Sequence, residues 1–183
     1  MVASKSLRTS SHPTLAREPK HESGRSYHID LKRSEVGRIA LLPGDPDRVE
    51  AIARRFSRPR PLRQRREFTS FGGYVGKEYV VAMSTGIGGP SAAIAVEELA
   101  RLGVEVMVRI GTCGSIQPSV RVGSIVIADA AVRLDGTTDQ YVMKGFPAAA
   151  TPEVTLALRE AARKLRKDAS VGVAASTDSF YVG

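Results

Sequence analysis

Short apolar runs ended by glycine or proline, alternating with segments of helical periodicity, constrain this chain more than any other feature. Arg38 to Pro43 (RIALLP) is one such run, closed by Pro43-Gly44, and EVMVRIG, GSIVIAD and VGVAAS are others. Runs of this length, bounded in this way, read as buried strands. Between them the apolar spacing changes. Asp45-Pro46 opens a helix, with Asp45 as N-cap and Pro46 at the first helical position, and Val49, Ile52, Ala53 and Phe56 keep one apolar face. Pro90 starts a second helix through AAIAVEELARL, which Gly103 stops, and Pro152 starts a third, VTLALREAARKL. EFTSFGGYV and EYVVAMS flank Gly76-Lys77, the pattern of a hairpin. The alternation predicts an α/β fold, a mixed central β-sheet flanked by helices, in one domain over residues 27–183. Residues 1–26 are polar and aperiodic, and are expected to form a disordered basic extension.

Composition narrows the chemistry. With 183 residues, no tryptophan and few other aromatics, the core must come from Val, Ile, Leu and Ala. Lysine plus arginine number 27 against 19 acidic residues, a net charge of +8 that attracts anions without choosing among nucleic acid, a membrane surface and a phosphate-bearing substrate. The single cysteine, Cys113, excludes an intrachain disulfide framework and a multi-cysteine zinc site, and fits a reducing cytoplasm. No apolar run approaches the ~20 residues of a membrane helix, so no membrane partner is expected. The Ser- and Arg-rich start (MVASKSLRTSSHPTLAR) has the look of a transit peptide, but a solvated extension is the preferred reading. Arg54, Arg55, Arg58, Arg60, Arg63, Arg65 and Arg66 form a basic run. A solvated face or an interface is the expectation there, with nucleic-acid binding the minority reading.

Three strand-end turns carry residues suited to an anion. In Pro43-Gly44-Asp45-Pro46-Asp47-Arg48, glycine allows close backbone approach and Arg48 adds a charged fork, although alone this could be a plain turn. Ser84-Thr85-Gly86-Ile87-Gly88-Gly89-Pro90-Ser91 fits neither the dinucleotide fingerprint nor the Walker pattern. In Arg109-Ile110-Gly111-Thr112-Cys113-Gly114 an arginine interrupts an apolar strand, which is costly unless an anion or a buried carboxylate meets it. Guanidinium, hydroxyl and free backbone N–H groups together suit a phosphate-sized anion in a crevice of an α/β sheet.

PGDPDRV, REFTSF, STGIGGPSAAIAVEELA, RIGTCGSIQPSVRVGSIVIADAAVRLDG and ASTDSFYVG together resemble the nucleoside phosphorylase family, in that family's order, from His28 to Gly183. STGIGGPS, AAVRLDG and STDSFY resemble its uridine phosphorylase branch. The resemblance implies phosphorolysis of a nucleoside, with inorganic phosphate as co-substrate, no organic cofactor, and a place in nucleoside catabolism and pyrimidine salvage. It implies that Gly44, Arg48, Arg109 and Thr112 bind phosphate, with Arg48, Arg109 and Thr112 as the catalytic set. Arg66 matches the arginine a neighbouring subunit lends to the phosphate site. His28 matches a histidine reaching across the same interface to the ribose 5′-hydroxyl, and Phe180 an aromatic beside the base. Thr112 and Cys113 lie beside the nucleoside, Cys113 as packing and not as a nucleophile. Glu67, Ile87 and Ser91 match positions holding a monovalent cation, potassium, between subunits. A homo-oligomer follows, a dimer unit assembled into a hexamer with shared sites.

The family continues past the position matched by Gly183, so the chain is expected to be incomplete at its C-terminus. The Gln and Arg that read uracil, the acidic and Met residues that hold the ribose hydroxyls, and a final helix would lie beyond it. Purine nucleoside or methylthioadenosine phosphorolysis on the same fold is the near alternative to uridine. A non-catalytic fragment is the alternative of a different class.

Overall fold

The computed structural model describes residues 23–181, built as eight strands and three α-helices. The strands are β1 (Ile39–Pro43), β2 (Ser57–Arg65), β3 (Phe68–Val75), β4 (Glu78–Met83), β5 (Val106–Ile110), β6 (Ile125–Leu134), β7 (Ala148–Ala149) and β8 (Ala169–Thr177). The helices are α1 (Asp47–Ala53), α2 (Gly89–Arg101) and α3 (Pro152–Lys164). Short 3-10 turns occupy Arg33–Glu35 and Thr138–Gln140.

The strands form two sheets, where the sequence suggested one. The first has the order β2-β3-β4-β1-β5, antiparallel through β2, β3 and β4, and parallel where β1 meets β4 and β5. The second has the order β7-β6-β8, with β6 parallel to β8 and antiparallel to β7. The fold class is the expected one, mixed sheets with helices against them.

Period-two alternation explains how the first sheet is covered. Ala40 and Leu42 of β1, with Val81 and Met83 of β4, point to the cluster that Ala95 and Leu99 of α2 complete together with Ile29 and Leu31. Ile39, Leu41, Val80 and Ala82 point to the opposite cluster, with Val49 and Ala53 of α1 and with Phe56. The second sheet is more open: Val132, Leu134 and Val173 are about half exposed or more, while Ile127 of β6 and Ala162 of α3 are buried.

Three local expectations change. The first helix begins at Asp47 with Pro46 in the cap position, one residue later than expected, though the Asp45 carboxylate still accepts the Asp47 N–H at 3.0 Å. The basic run is not only a surface face: much of it is β2, an edge strand whose Pro59 and Pro61 sit between register shifts. An edge tolerates proline because one row of its N–H groups has no ladder to join. Residues 1–22 of the expected extension lie outside the described residues. Its last residues bond into the domain: Arg25 pairs with Glu35 at 2.9 Å, and the Ser26 N–H donates to the Leu31 carbonyl at 2.9 Å.

Leu99, fully buried between α2 and the first sheet, should lose about 2–5 kcal/mol of stability on substitution by alanine. Val75→Thr at the exposed hairpin end should change stability by less than about 0.5 kcal/mol. Urea unfolding of both variants checks this, and equal losses would contradict the packing described.

Candidate anion site at the strand ends

Parallel pairing brings the carboxyl ends of β1, β4 and β5 to one edge, and the β2–β3 turn arrives there too because β3 runs against β4. The Thr85 N–H donates to the Pro43 carbonyl and the Gly86 N–H to the Gly44 carbonyl, both at 2.9 Å, so the first two turns are bonded together. Ser84, fully buried, accepts the Thr69 N–H at 2.8 Å and donates to the Glu67 carbonyl at 2.6 Å, tying in the third.

Arg109 is the centre of this edge. Its Nη1 donates to Thr85 Oγ1 at 2.9 Å and to the Leu42 carbonyl at 3.3 Å, both uncharged acceptors. The buried carboxylate that could have explained an arginine in this strand is not among its bonding partners. Crowding by surrounding protein, and then the like charge of Arg48, push its pKa down from the ordinary arginine value. It remains a cation. Arg48, exposed in the first turn of α1, has its Nε 3.8 Å from Asp45 Oδ2. Gly44 lies directly against Arg109: a Cβ there would stand 3.0 Å from Nη2 and 3.4 Å from Nη1. A side chain there would push on the guanidinium, which would have to give by a few tenths of an ångström. Thr112 and Cys113, exposed, continue the chain just past β5.

The Arg66-Glu67 turn stands at the same edge. Arg66 is exposed and adopts φ +54°, the left-handed region that a non-glycine residue occupies at a cost. Ser91 Oγ donates to Glu67 Oε1 at 3.1 Å and also to the Thr85 carbonyl. Gly86, at φ +71°, makes room for both side chains, since a Cβ there would fall 2.6 Å from Glu67 Cγ. Glu67 and Ser91 are thus together, whereas the Ile87 side chain is 99% exposed. Among the described residues no cluster of three or more His, Cys, Asp or Glu could hold a metal ion.

His28 and Phe180 stand apart from this cluster. His28 Nδ1 lies 2.6 Å from Glu98 Oε1, at a point of α2 two turns beyond Ser91. Phe180 is 91% exposed, edge-on to Tyr181 at 5.1 Å. Near it Asp178 Oδ2 accepts the Gly136 N–H at 2.8 Å. A cleft of about 680 Å³ opens between Gly88 and Pro90 at the start of α2 and Thr137, Tyr141 and Asp178. None of the arginines Arg48, Arg66 and Arg109 lines it.

The sequence reading passed over three organising residues. Thr85, which orients Arg109, looked like part of a glycine-rich turn and gave no signal of its own. Glu98 did give one: it shares the Ala95, Leu99 and Leu102 spacing, which sets a carboxylate inside the apolar face of α2. Arg133, only 8% exposed in its side chain, binds Thr138 Oγ1, Asp139 Oδ1 and three carbonyls, and so folds the loop over residues 135–146. In that loop the Thr138 N–H, then its hydroxyl, hold the Asp135 carboxyl below its ordinary pKa.

Comparison with known proteins places the chain in a family. The model of the phosphorylase superfamily matches residues 38–183. The uridine phosphorylase of Thermococcus kodakarensis is 50% identical over 169 residues, covering 92% of this chain and 61% of that protein. The uridine phosphorylase of Haemophilus influenzae is 46% identical over 159 residues, covering 86% of this chain and 63% of that protein. The guanosine phosphorylase of Halorubrum lacusprofundi is 39% identical over 155 residues, covering 84% of this chain and 64% of that protein. The chain therefore spans a little over three fifths of the length of these relatives. On the family match and the three joined strand-end turns, the chain belongs to the phosphorylase superfamily.

Proposed function

We propose that this chain is the phosphate-binding part of a uridine phosphorylase, converting uridine and phosphate to uracil and ribose 1-phosphate. One observation carries the reading: Arg109 packs its guanidinium against Gly44 and, among the described residues, is hydrogen-bonded to the neutral oxygens of Thr85 and Leu42. A guanidinium oriented by neutral acceptors at the strand ends, with the like charge of Arg48 acting on it, keeps its charge for an anion. Phosphate held there would attack C1′ of the nucleoside as the C1′–N1 bond breaks, and the uracil would leave with the bonding pair and take up a proton. The sugar passes through an oxocarbenium-like state that the phosphate charge stabilises, and the arginines contribute mainly by holding the nucleophile in line. Thr112 would add a hydroxyl beside the sugar.

Uridine is preferred to a purine nucleoside because the more similar relatives carry the name uridine phosphorylase. Guanosine is the second reading, favoured by the Halorubrum relative. His28, Phe180 and Cys113 would contact the nucleoside, with His28 and Arg66 serving a neighbouring subunit's site. This implies a homo-oligomer built from dimers, the hexamer being the larger assembly proposed. Glu67 and Ser91 offer carboxylate and hydroxyl oxygens, the donors a hard monovalent cation takes, and Ile87 could add only its carbonyl. Potassium there would brace the Arg66-Glu67 turn against the next subunit. The work of such an enzyme would lie in pyrimidine salvage in the cytoplasm; no helix of the described residues is long and apolar enough to cross a membrane.

Product analysis with uridine, with and without phosphate, tests the reading. Phosphate-dependent release of uracil and ribose 1-phosphate supports it, and phosphate-independent release of free ribose would replace it with hydrolysis. Absence of turnover with uridine, alongside turnover of guanosine, would move the substrate to the purine class. Gly44→Ala should weaken phosphate binding by about tenfold or more, the loss of one well-placed charged hydrogen bond, read by isothermal calorimetry with inorganic phosphate. Arg66→Ala should lose phosphate affinity with the fold kept. Arg66→Gly, which relaxes the left-handed turn, should do the same without lowering the urea midpoint. Unchanged phosphate dependence in both variants would sink the shared-site arrangement.

A further inference from the structure

Glu98 is 5% exposed and gathers three donors. The His28 N–H reaches both carboxylate oxygens at 3.0 Å, the Ile29 N–H reaches Oε2 at 2.9 Å, and His28 Nδ1 stands 2.6 Å from Oε1. A carboxylate so placed only accepts, which requires the imidazole hydrogen on Nδ1. Nε2 of the neutral ring then carries a lone pair. Tyr27 stands edge-on to the imidazole at 4.9 Å, and a quarter of the His28 side chain, 26%, stays open to solvent.

From this geometry we infer that Glu98 is a positioning residue that fixes His28 as the Nδ1–H tautomer and makes Nε2 an acceptor for a hydroxyl donor on the ligand. The tautomer follows from contacts within this chain. The ligand half rests on the proposed role of His28 toward the ribose 5′-hydroxyl, and it adds a selectivity: a 5′-hydroxyl is bound, and a 5′-deoxy sugar offers nothing to the lone pair.

The isosteric Glu98→Gln change makes the inference testable, because main-chain N–H groups can only donate. They retain the amide oxygen, which turns the NH2 group toward His28 Nδ1. The ring must then accept at Nδ1 and carry its hydrogen on Nε2, so the outward-facing nitrogen changes from acceptor to donor.

Nitrogen-15 histidine labelling of the full chain reads this directly, with the pH raised until the imidazole signals no longer move. Signals of His28 are assigned by their loss in His28→Asn, and His12 and His21 serve as internal references. The expected result is a protonated Nδ1 and a bare Nε2 in the wild type, reversed in Glu98→Gln. An Nε2–H or averaged pattern for His28 in the wild type overturns the inference, and that measurement needs no variant of Glu98 to fold. Calorimetry with uridine and 5′-deoxyuridine forms the second arm. The wild type should favour uridine by about tenfold, the scale of one hydrogen bond, and Glu98→Gln should shrink that ratio. An Nδ1–H tautomer with no preference for the hydroxyl would remove the ribose role of His28 while leaving the Glu98 assignment intact.

Discussion

The parallel seating of β1 between β4 and β5 is the constraint on which the rest of the site depends. It sets Leu42 opposite Arg109 and Pro43 opposite Ile110. Paired residues of adjacent strands share a face, and Leu42 belongs to the core on the α2 side. Arg109 is therefore delivered to the α2 side, where Thr85 can hold it and where the chain after Pro43 passes as glycine. A slip of one residue would send Arg109 toward the α1 face and leave the three turns without a common centre.

Given that placement, the electrostatics follow. Arginine at the end of a sheet normally meets an acid, and ion pairs are common elsewhere in this chain, from Arg38 with Glu105 to Arg63 with Asp30 and Glu35. Arg109 is held by a hydroxyl and a carbonyl instead, which orient the guanidinium without cancelling its charge. Burial and then the like charge of Arg48 lower its pKa, the direction an anion beside it would reverse. Neutral orientation of a cation is what the proposed binding role of Arg109 requires, and a structural salt bridge would not supply it.

How much of this was legible in the sequence depended on how local the signal was. Strands bounded by Pro43-Gly44 and Gly111, helices opened by Pro90 and Pro152, and the Gly76-Lys77 hairpin were readable because period and punctuation agree within a few residues. The strand β2 was not, because Pro59, Pro61 and dense arginine argue against any strand except an edge, and edge position is a tertiary fact. Division into two sheets is likewise non-local, set by whether β5 and β6 pair. At the site, Gly44, Arg48 and Arg109 could be named from turn chemistry and family resemblance. Thr85 could not, since its role consists of reaching a residue 24 positions away. Glu98 was readable in principle, as a carboxylate on the apolar stripe of a helix, and such an exception to binary patterning marks a buried polar contact worth finding.

Helix α2 joins the two kinds of residue the proposed chemistry needs. Its first turn carries Ser91, bonded to Glu67 beside the arginine cluster, and two turns later Glu98 grips His28 and Ile29. Seven helical residues separate these points by roughly 10 Å. Ala95 between them and Leu99 just beyond, both fully buried, lock the helix to the first sheet. The Arg66-Glu67 turn and His28, proposed to serve a neighbouring subunit, are therefore tied to two points of one packed element. Catalysis by positioning requires that rigidity, because a displaced nucleophile loses rate before it loses affinity. A shared site assembled from such chains needs only the subunit contact to be right, since each chain brings its groups already spaced.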